Sequence, residues 1–211
     1  MPKEFPEQIS SILATQLPGE IAHERVMSKK RPKTSEAKLF ESEYRDSAVG
    51  IFIYKEKSSF KSLLIQRPDY EGTHGGQISF PGGKSEEKDE SLEYTARRES
   101  FEEVGIPLGE GKLLGTLTEV YIPVSKFRVQ PYVFYLDQLP KLTPDTYEVA
   151  GIIPFDLIDF KSLKIKHKSI PTRQGITLKN MAYFDIDRKV VWGATALMLS
   201  ELQEVIRLSE I

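Results

Sequence analysis

The chain has 211 residues, 39% of them hydrophobic and 28% charged, with a formal net charge of −2. This profile is typical of one globular domain with an ample core, and it gives no electrostatic attraction to nucleic acid or to an anionic membrane. The absence of cysteine excludes disulfides, thiol catalysis and cysteine metal ligands.

The N-terminal segment carries acidic residues and no apolar leader, and no stretch of the chain approaches the roughly 20 apolar residues of a membrane helix. We therefore expect a cytoplasmic protein without membrane partners. Residues 4–16 predict an amphipathic helix, and the polar residues 29–38 predict a loop or extended linker. We assign residues 1–46 to a helix and linker that pack on the core, and residues 47–211 to the main domain.

The main domain predicts strands interspersed with helices. Apolar, β-rich runs at 48–54 and 62–66 flank the polar turn KEKSSF, which indicates a hairpin. Further strands are expected at 77–80, 113–122, 128–136, 148–153 and 176–185, and further helices at 155–163 and 192–208. Mixed strands with helices on either side predict an α/β fold, an α/β/α sandwich around a mixed sheet.

A glycine turn followed by an acidic helix is the most informative segment. Residues 82–106 read GGKSEEKDESLEYTARRESFEEVGI, and Glu99, Glu102 and Glu103 stand at i, i+3 and i+4. This spacing places three carboxylates on one helical face, where they repel unless a cation lies among them. Asp89 is expected to cap the helix and Gly105 to end it.

Neighbouring side chains are expected to fix this acidic face. Arg98 precedes Glu102 by one turn and can hold it in a single rotamer. Tyr94, Phe101 and Val104 are expected to anchor the opposite side to the core. A merely solvated acidic face is the alternative, because like-charge pairs cost only about 0.2–0.5 kcal/mol each. The glycine turn and the cap favour a site for a hard cation, Mg²⁺ or Mn²⁺.

The same segment resembles the Nudix box, GX5EX7REUXEEXGU, of hydrolases that cleave nucleoside diphosphate derivatives. Residues 98–106, RESFEEVGI, reproduce the second half, with Ser100 at a usually apolar position. The first half departs by one residue. Counting from Gly83 selects Asp89 as the acid of the motif, whereas counting back from Arg98 selects Glu90. The resemblance implies a Nudix hydrolase domain over residues 47–211.

A second motif is similar to one that accompanies the box in coenzyme A pyrophosphatases, LLTxRSxxxRxxxGxxxFPGG. Residues 63–83 read LLIQRPDYEGTHGGQISFPGG, so Arg67 and the Phe-Pro-Gly-Gly end match in register. Gly72 stands where an arginine is expected, which removes a potential phosphate contact. The resemblance implies hydrolysis of coenzyme A or its derivatives to 3′,5′-ADP and 4′-phosphopantetheine.

The two resemblances imply the following site. Glu99, Glu103 and Glu102 are the candidate metal ligands; Glu102, Glu103 and Arg98 are the candidate catalytic residues; Arg67, Gly82 and Gly83 are the candidate substrate-binding residues. Glu148 is a candidate additional ligand or base, and the identity of the general base stays open.

The partner is expected to be a small-molecule nucleotide, without nucleic acid, and a homodimer is left open. The alternative functions are a pyrophosphatase for ADP-ribose or another nucleoside diphosphate derivative, and a nucleotide sensor without catalysis. Sensors often lose box glutamates or carry a DNA-binding extension, whereas this chain keeps all three glutamates.

Overall fold

The computed structural model describes residues 4–28, 31–69, 75–172 and 175–209, without the side chains of residues 40–42. The helices are α1 (Phe5–Thr15), α2 (Gly19–Glu24), α3 (Thr34–Ala37), α4 (Leu92–Val104), α5 (Leu157–Lys161) and α6 (Gly193–Leu208), and a 3₁₀ helix spans Lys38–Glu43. The strands are β1 (Arg45–Glu56), β2 (Ser59–Gln66), β3 (Ile78–Ser79), β4 (Gly82–Lys84), β5 (Lys112–Thr116), β6 (Val120–Ile122), β7 (Phe127–Leu136), β8 (Gly151–Asp156), β9 (Lys166–Pro171), β10 (Thr177–Ile186) and β11 (Lys189–Trp192).

A mixed sheet forms the centre of the fold, with strand order β3-β2-β1-β7-β5. Strands β1 and β7 are parallel, whereas β1 and β2 form an antiparallel hairpin. Strands β4, β6 and β8 pair with β1, β7 and β2, respectively. A second, antiparallel sheet has the order β11-β10-β9.

The two faces of the central sheet bury different sets of side chains. One face packs against α4 through a cluster that includes Phe52, Ala96, Val104 and Phe134. The other packs against α1, α6 and the second sheet through a larger cluster. Helices therefore cover both faces, and the predicted α/β/α sandwich with a mixed sheet is confirmed.

The N-terminal segment is held to the end of the chain by a buried carboxylate. Glu201 of α6 is fully buried and accepts hydrogen bonds from Gly19 N at 2.9 Å and from the backbone and hydroxyl of Thr118 at 3.0 and 2.7 Å. His23 Nε2 lies 3.1 Å from the same carboxylate. The apolar residues of α1 enter the core that α6 lines. These contacts join the segment before β1 to the body of the domain.

Most predicted elements are observed, and the departures are short elements. The region predicted as one strand at 113–122 contains β5 and β6, because the chain leaves the ladder between them. Helix α3 lies within residues 29–38, so the prediction of a loop or extended linker there is wrong at Thr34–Ala37. Helix α2 and strands β4, β9 and β11 were not predicted. None of the helices formed by the described residues is long and apolar enough to cross a membrane.

Candidate functional site

The glycine segment before the acidic helix is a strand, not a free turn. Strand β4 pairs antiparallel with β1, with Gly82 opposite Val49 and Gly83 opposite Ala48. Gly82 has φ of +152°, and a Cβ there would lie 2.6 Å from Val49 Cα and would also overlap the Ala48 carbonyl oxygen. Gly82 is therefore required by the contact with β1.

Gly83 is required for a different reason. A Cβ on Gly83 would overlap the Glu99 carboxylate, so the missing side chain lets the first box glutamate lie directly against β4. The Gly83 carbonyl accepts a hydrogen bond from Ser47 Oγ at 2.6 Å. The two glycines, which are candidate substrate-binding residues, therefore lie against different neighbours: Gly82 against β1, and Gly83 against Glu99.

The boundaries of α4 differ in one respect from the prediction. The N-cap is Ser91, whose hydroxyl accepts a hydrogen bond from Tyr94 N at 3.1 Å, so the assignment of Asp89 as the cap is wrong. Gly105 ends the helix with φ of +77°, as predicted. Val104 is buried, but Phe101 is 50% exposed and does not anchor the helix.

Arg98 joins the acidic residues of the box. Its Nε and Nη2 donate to the two oxygens of Asp89 at 2.8 and 2.9 Å, and its Nη1 donates to Glu99 Oε1 and Glu102 Oε2, both at 2.9 Å. Nη2 also donates to the Lys84 carbonyl at 3.1 Å. The hydrogen bonds from Arg98 hold the pKa of the Asp89 carboxyl well below its usual range. The predicted orientation of Glu102 by Arg98 is observed.

Glu103 is the most buried of the three box glutamates, with 1% exposure. Its Oε2 accepts a hydrogen bond from Gly82 N at 2.7 Å, and its Oε1 lies 3.4 Å from Arg67 Nη2. Burial raises the pKa of this carboxyl to about 7 despite these partners. Removal from water is therefore the main reason that the Glu103 carboxyl resists ionisation.

Glu148 lies close to the same carboxylates, although it is not in a strand. The predicted strand at 148–153 is wrong at its start: β8 begins at Gly151, and Glu148 N donates to Asp145 O at 3.1 Å in the preceding turn. Burial raises the pKa of Glu99, and the negative charge of Glu148 raises the pKa values of Glu99 and Glu103 further. The exposed Glu148 therefore acts electrostatically on both.

The donor set fits a hard divalent cation. Carboxylate and carbonyl oxygens are the groups that Mg²⁺ and Mn²⁺ prefer, and buried carboxylates with raised pKa values are stabilised by an added positive charge. Within the described parts of the chain, no three Asp, Glu, His or Cys side chains are already arranged around one point. Glu102 and Glu99 face Arg98, so a cation here requires local reorientation of carboxylates or water ligands.

The sequence predicted the glutamates and Arg98, but not the ion pair between Arg98 and Asp89. Asp89 is buried against Arg98, whereas Glu90 is exposed, so the count from Gly83 locates the acid of the motif. A polar residue, Ser100, is tolerated at the usually apolar position of the box because its hydroxyl donates to Ala96 O at 2.6 Å within the buried face of α4. Gly72 lies outside the described residues.

Comparison with known proteins identifies the family. The family model described as NUDIX domain matches residues 44–172, which is more than half of the chain. The chain belongs to the Nudix family. Members of this enzyme family are generally metal-dependent hydrolases of nucleoside diphosphate derivatives. Relatives named "Uncharacterized Nudix hydrolase NudL" from Yersinia pestis and Yersinia pseudotuberculosis are 34% identical over 143 residues, covering 67% of this chain and 70% of each relative.

Solved Nudix structures share the fold at low identity. RenU, a Nudix hydrolase from M. smegmatis, has a TM-score of 0.55 at 15% identity and covers 79% of this chain and 88% of its own. A MutT/nudix family protein from Enterococcus faecalis has a TM-score of 0.50 at 14% identity, over 89% of this chain and 73% of its own. Both similarities concern the fold alone.

Proposed function

We propose that this Nudix protein hydrolyses the diphosphate of coenzyme A or its derivatives, with Mg²⁺ or Mn²⁺, to give 3′,5′-ADP and 4′-phosphopantetheine. The observation that carries the proposal is the meeting of the two motifs at one site. Arg67 and Gly82, from the motif similar to that of coenzyme A pyrophosphatases, both contact Glu103 of the Nudix box. The sequence that suggests the substrate is therefore in contact with the residues that suggest the chemistry.

The residue roles follow from charge and position. Glu99 and Glu103, one turn apart on α4, are the proposed principal metal ligands, and the Gly82 carbonyl is a further oxygen at the same place. Glu102, whose side chain is 49% exposed, is proposed to hold a further ion or to accept a proton from the attacking water. Arg98 donates hydrogen bonds to Glu99 and Glu102, so its proposed part in catalysis is to position these two carboxylates.

The reaction needs cations because a diphosphate is anionic and repels a nucleophile. When bound, the metal supplies charge neutralisation at the phosphoryl oxygens and a more acidic water. The water oxygen forms a bond to one phosphorus, and the bridging oxygen leaves with the electron pair on the other phosphate. A nearby carboxylate takes the proton. Glu102 and Glu148 are the two proposed bases, because both are exposed at the edge of the buried pair.

A substrate panel tests this proposal. Purified protein with Mg²⁺ or Mn²⁺ is assayed for kcat/KM on coenzyme A, dephospho-coenzyme A and ADP-ribose. We expect coenzyme A to be the best substrate, because donors arranged for its 3′-phosphate are poorly paired when that phosphate is missing. If ADP-ribose is the best substrate, the assignment to coenzyme A is wrong and the Nudix chemistry stands. Tight nucleotide binding without turnover would instead indicate a sensor.

A further inference from the structure

Arg67 lies immediately after β2 and reaches the centre of the candidate site. Its backbone N donates to Gln77 O at 2.9 Å, which fixes the start of the loop. Its Nη2 donates to the Gly82 carbonyl at 3.1 Å and lies 3.4 Å from Glu103 Oε1. The side chain is 27% exposed, so Arg67 is partly accessible to solvent.

The two acceptors of Arg67 are the oxygens that a metal would need. Glu103 Oε2 is already bonded to Gly82 N, which leaves Oε1 as the second coordinating oxygen of that carboxylate. The Gly83 carbonyl is bonded to Ser47, which leaves the Gly82 carbonyl as the neighbouring backbone oxygen that faces Glu103. Mg²⁺ binds oxygen at about 2.0–2.1 Å, so a cation on these two oxygens would displace Arg67 Nη2 and repel its charge.

We propose that the Arg67 guanidinium and the divalent cation exclude each other from Glu103 Oε1 and the Gly82 carbonyl, so that metal binding releases Arg67 towards the diphosphate of the substrate. Arg67 balances the buried Glu103 carboxylate until the cation arrives. Once released, the guanidinium lies beside the bound metal and can form a two-point contact with a phosphate. The inference rests on the proposed function, because it takes Glu103 to be a metal ligand.

Competition makes an unusual prediction: removing an active-site residue tightens metal binding. Mn²⁺ binding without substrate is measured by calorimetry for the wild type, Arg67→Met and Lys84→Met. Lys84 is the matched control, since its exposed side chain follows Gly83 directly and has no hydrogen bond or ion pair with Glu103 or Gly82 among the contacts of the described residues. We expect Arg67→Met to lower the Kd for Mn²⁺ about tenfold, and Lys84→Met to change it less than about twofold.

Salt separates competition from general electrostatics. At about 1 M potassium chloride the Debye length is about 3 Å, so a gain that comes only from removing a distant, exposed charge disappears, whereas a gain from two freed oxygens beside the buried Glu103 is screened much less and persists. The KM for substrate should rise about tenfold in Arg67→Met, opposite in sign to the Kd for the metal. Arg67→Gln provides the same test if the methionine variant folds poorly.

The outcomes also separate this inference from the proposed function. Unchanged or weaker Mn²⁺ binding in Arg67→Met overturns the inference, and so does equal tightening in Lys84→Met or a gain that high salt removes. If Mn²⁺ binding is lost in Glu103→Gln but unaffected by Arg67→Met, the metal site stands and the inference alone is wrong. If Glu103→Gln binds Mn²⁺ as the wild type does, the proposed metal site at Glu103 and the inference about Arg67 are both wrong.

Discussion

Asp89 and Arg98 form a two-point ion pair in which the Asp89 side chain is fully buried and that of Arg98 is 5% exposed. The same guanidinium holds Glu99 and Glu102 through its other amino group. Asp89 therefore fixes an arginine that in turn fixes two candidate ligands, although Asp89 itself is not among the candidate ligands. Asp89 also accepts hydrogen bonds from Thr95 Oγ1 of α4 at 2.8 Å and from Glu86 N at 3.0 Å, but its contact with the residues that hold the candidate ligands is through Arg98.

Asp89→Asn should therefore lower both stability and turnover. Removing one partner of a buried ion pair leaves the other charge uncompensated, and we expect a loss of about 3 kcal/mol in the free energy of unfolding measured with urea. We also expect kcat to fall at least tenfold, because Glu99 and Glu102 lose their fixed donor. Ser91→Ala is the control: it removes the helix cap and costs about 1 kcal/mol, with kcat little changed. Equal kcat in both variants would contradict the role assigned to Asp89.

The two glycines of β4 should respond differently to alanine. Gly82→Ala places a Cβ against the backbone of β1 at a positive φ, so we expect a loss of several kcal/mol or failure to fold. Gly83→Ala meets only the end of a flexible side chain, the Glu99 carboxylate, and should fold with a small loss. Metal affinity and kcat should nevertheless fall in Gly83→Ala, because Glu99 is displaced. Thermal unfolding and Mn²⁺ calorimetry measure both effects; a stable, fully active Gly82→Ala would contradict the structure.

The stability of the metal-free protein should depend on pH in two opposite ways. The pKa of Asp89 is lowered on folding, so the ionised carboxylate stabilises the folded state at pH values above the ordinary carboxyl pKa. This stabilisation is lost as pH falls below about 3.8. The pKa of Glu103 is raised from 4.5 to about 7, so folding is penalised as pH rises through that interval, by up to about 3 kcal/mol. Urea unfolding with chelator should show a decline in the free energy of unfolding between pH 4.5 and 7, and Glu103→Gln should remove the larger part of it, with the remainder due to Glu99. A flat profile in the wild type would contradict the burial of that charge.

The general architecture was predictable because it depends on local patterns. The β1–β2 hairpin, α1, α4 and α6 follow from apolar periodicity and from bounding glycines and polar turns. The face shared by Glu99, Glu102 and Glu103 follows from helical spacing alone. Short strands such as β9 and β11 carry no comparable pattern, because their pairing with β10 depends on contacts outside each strand.

The internal contacts of the site were harder to predict. Arg67 and Glu103 are 36 residues apart in the sequence, and their contact depends on how β2 and α4 meet across β4. Asp89 and Ser91 are about equally good helix caps on residue preference, and Ser91 caps α4 while the Asp89 carboxylate pairs with Arg98. The extra residue in the first half of the box left two counts, one to Asp89 and one to Glu90, so the motif alone did not decide which acid pairs with Arg98. Tertiary contacts, rather than propensity, decided these cases.

The most direct test of the account is the turnover of Glu103→Gln at saturating Mg²⁺. The amide keeps a hydrogen-bond acceptor for Gly82 N but is a neutral and weaker ligand for a hard cation. We predict a loss in kcat of at least about a hundredfold, equivalent to about 2.7 kcal/mol of transition-state stabilisation, in a variant that unfolds at urea concentrations no lower than the wild type above pH ~7. Turnover near the wild-type rate would place the metal elsewhere and contradict the account.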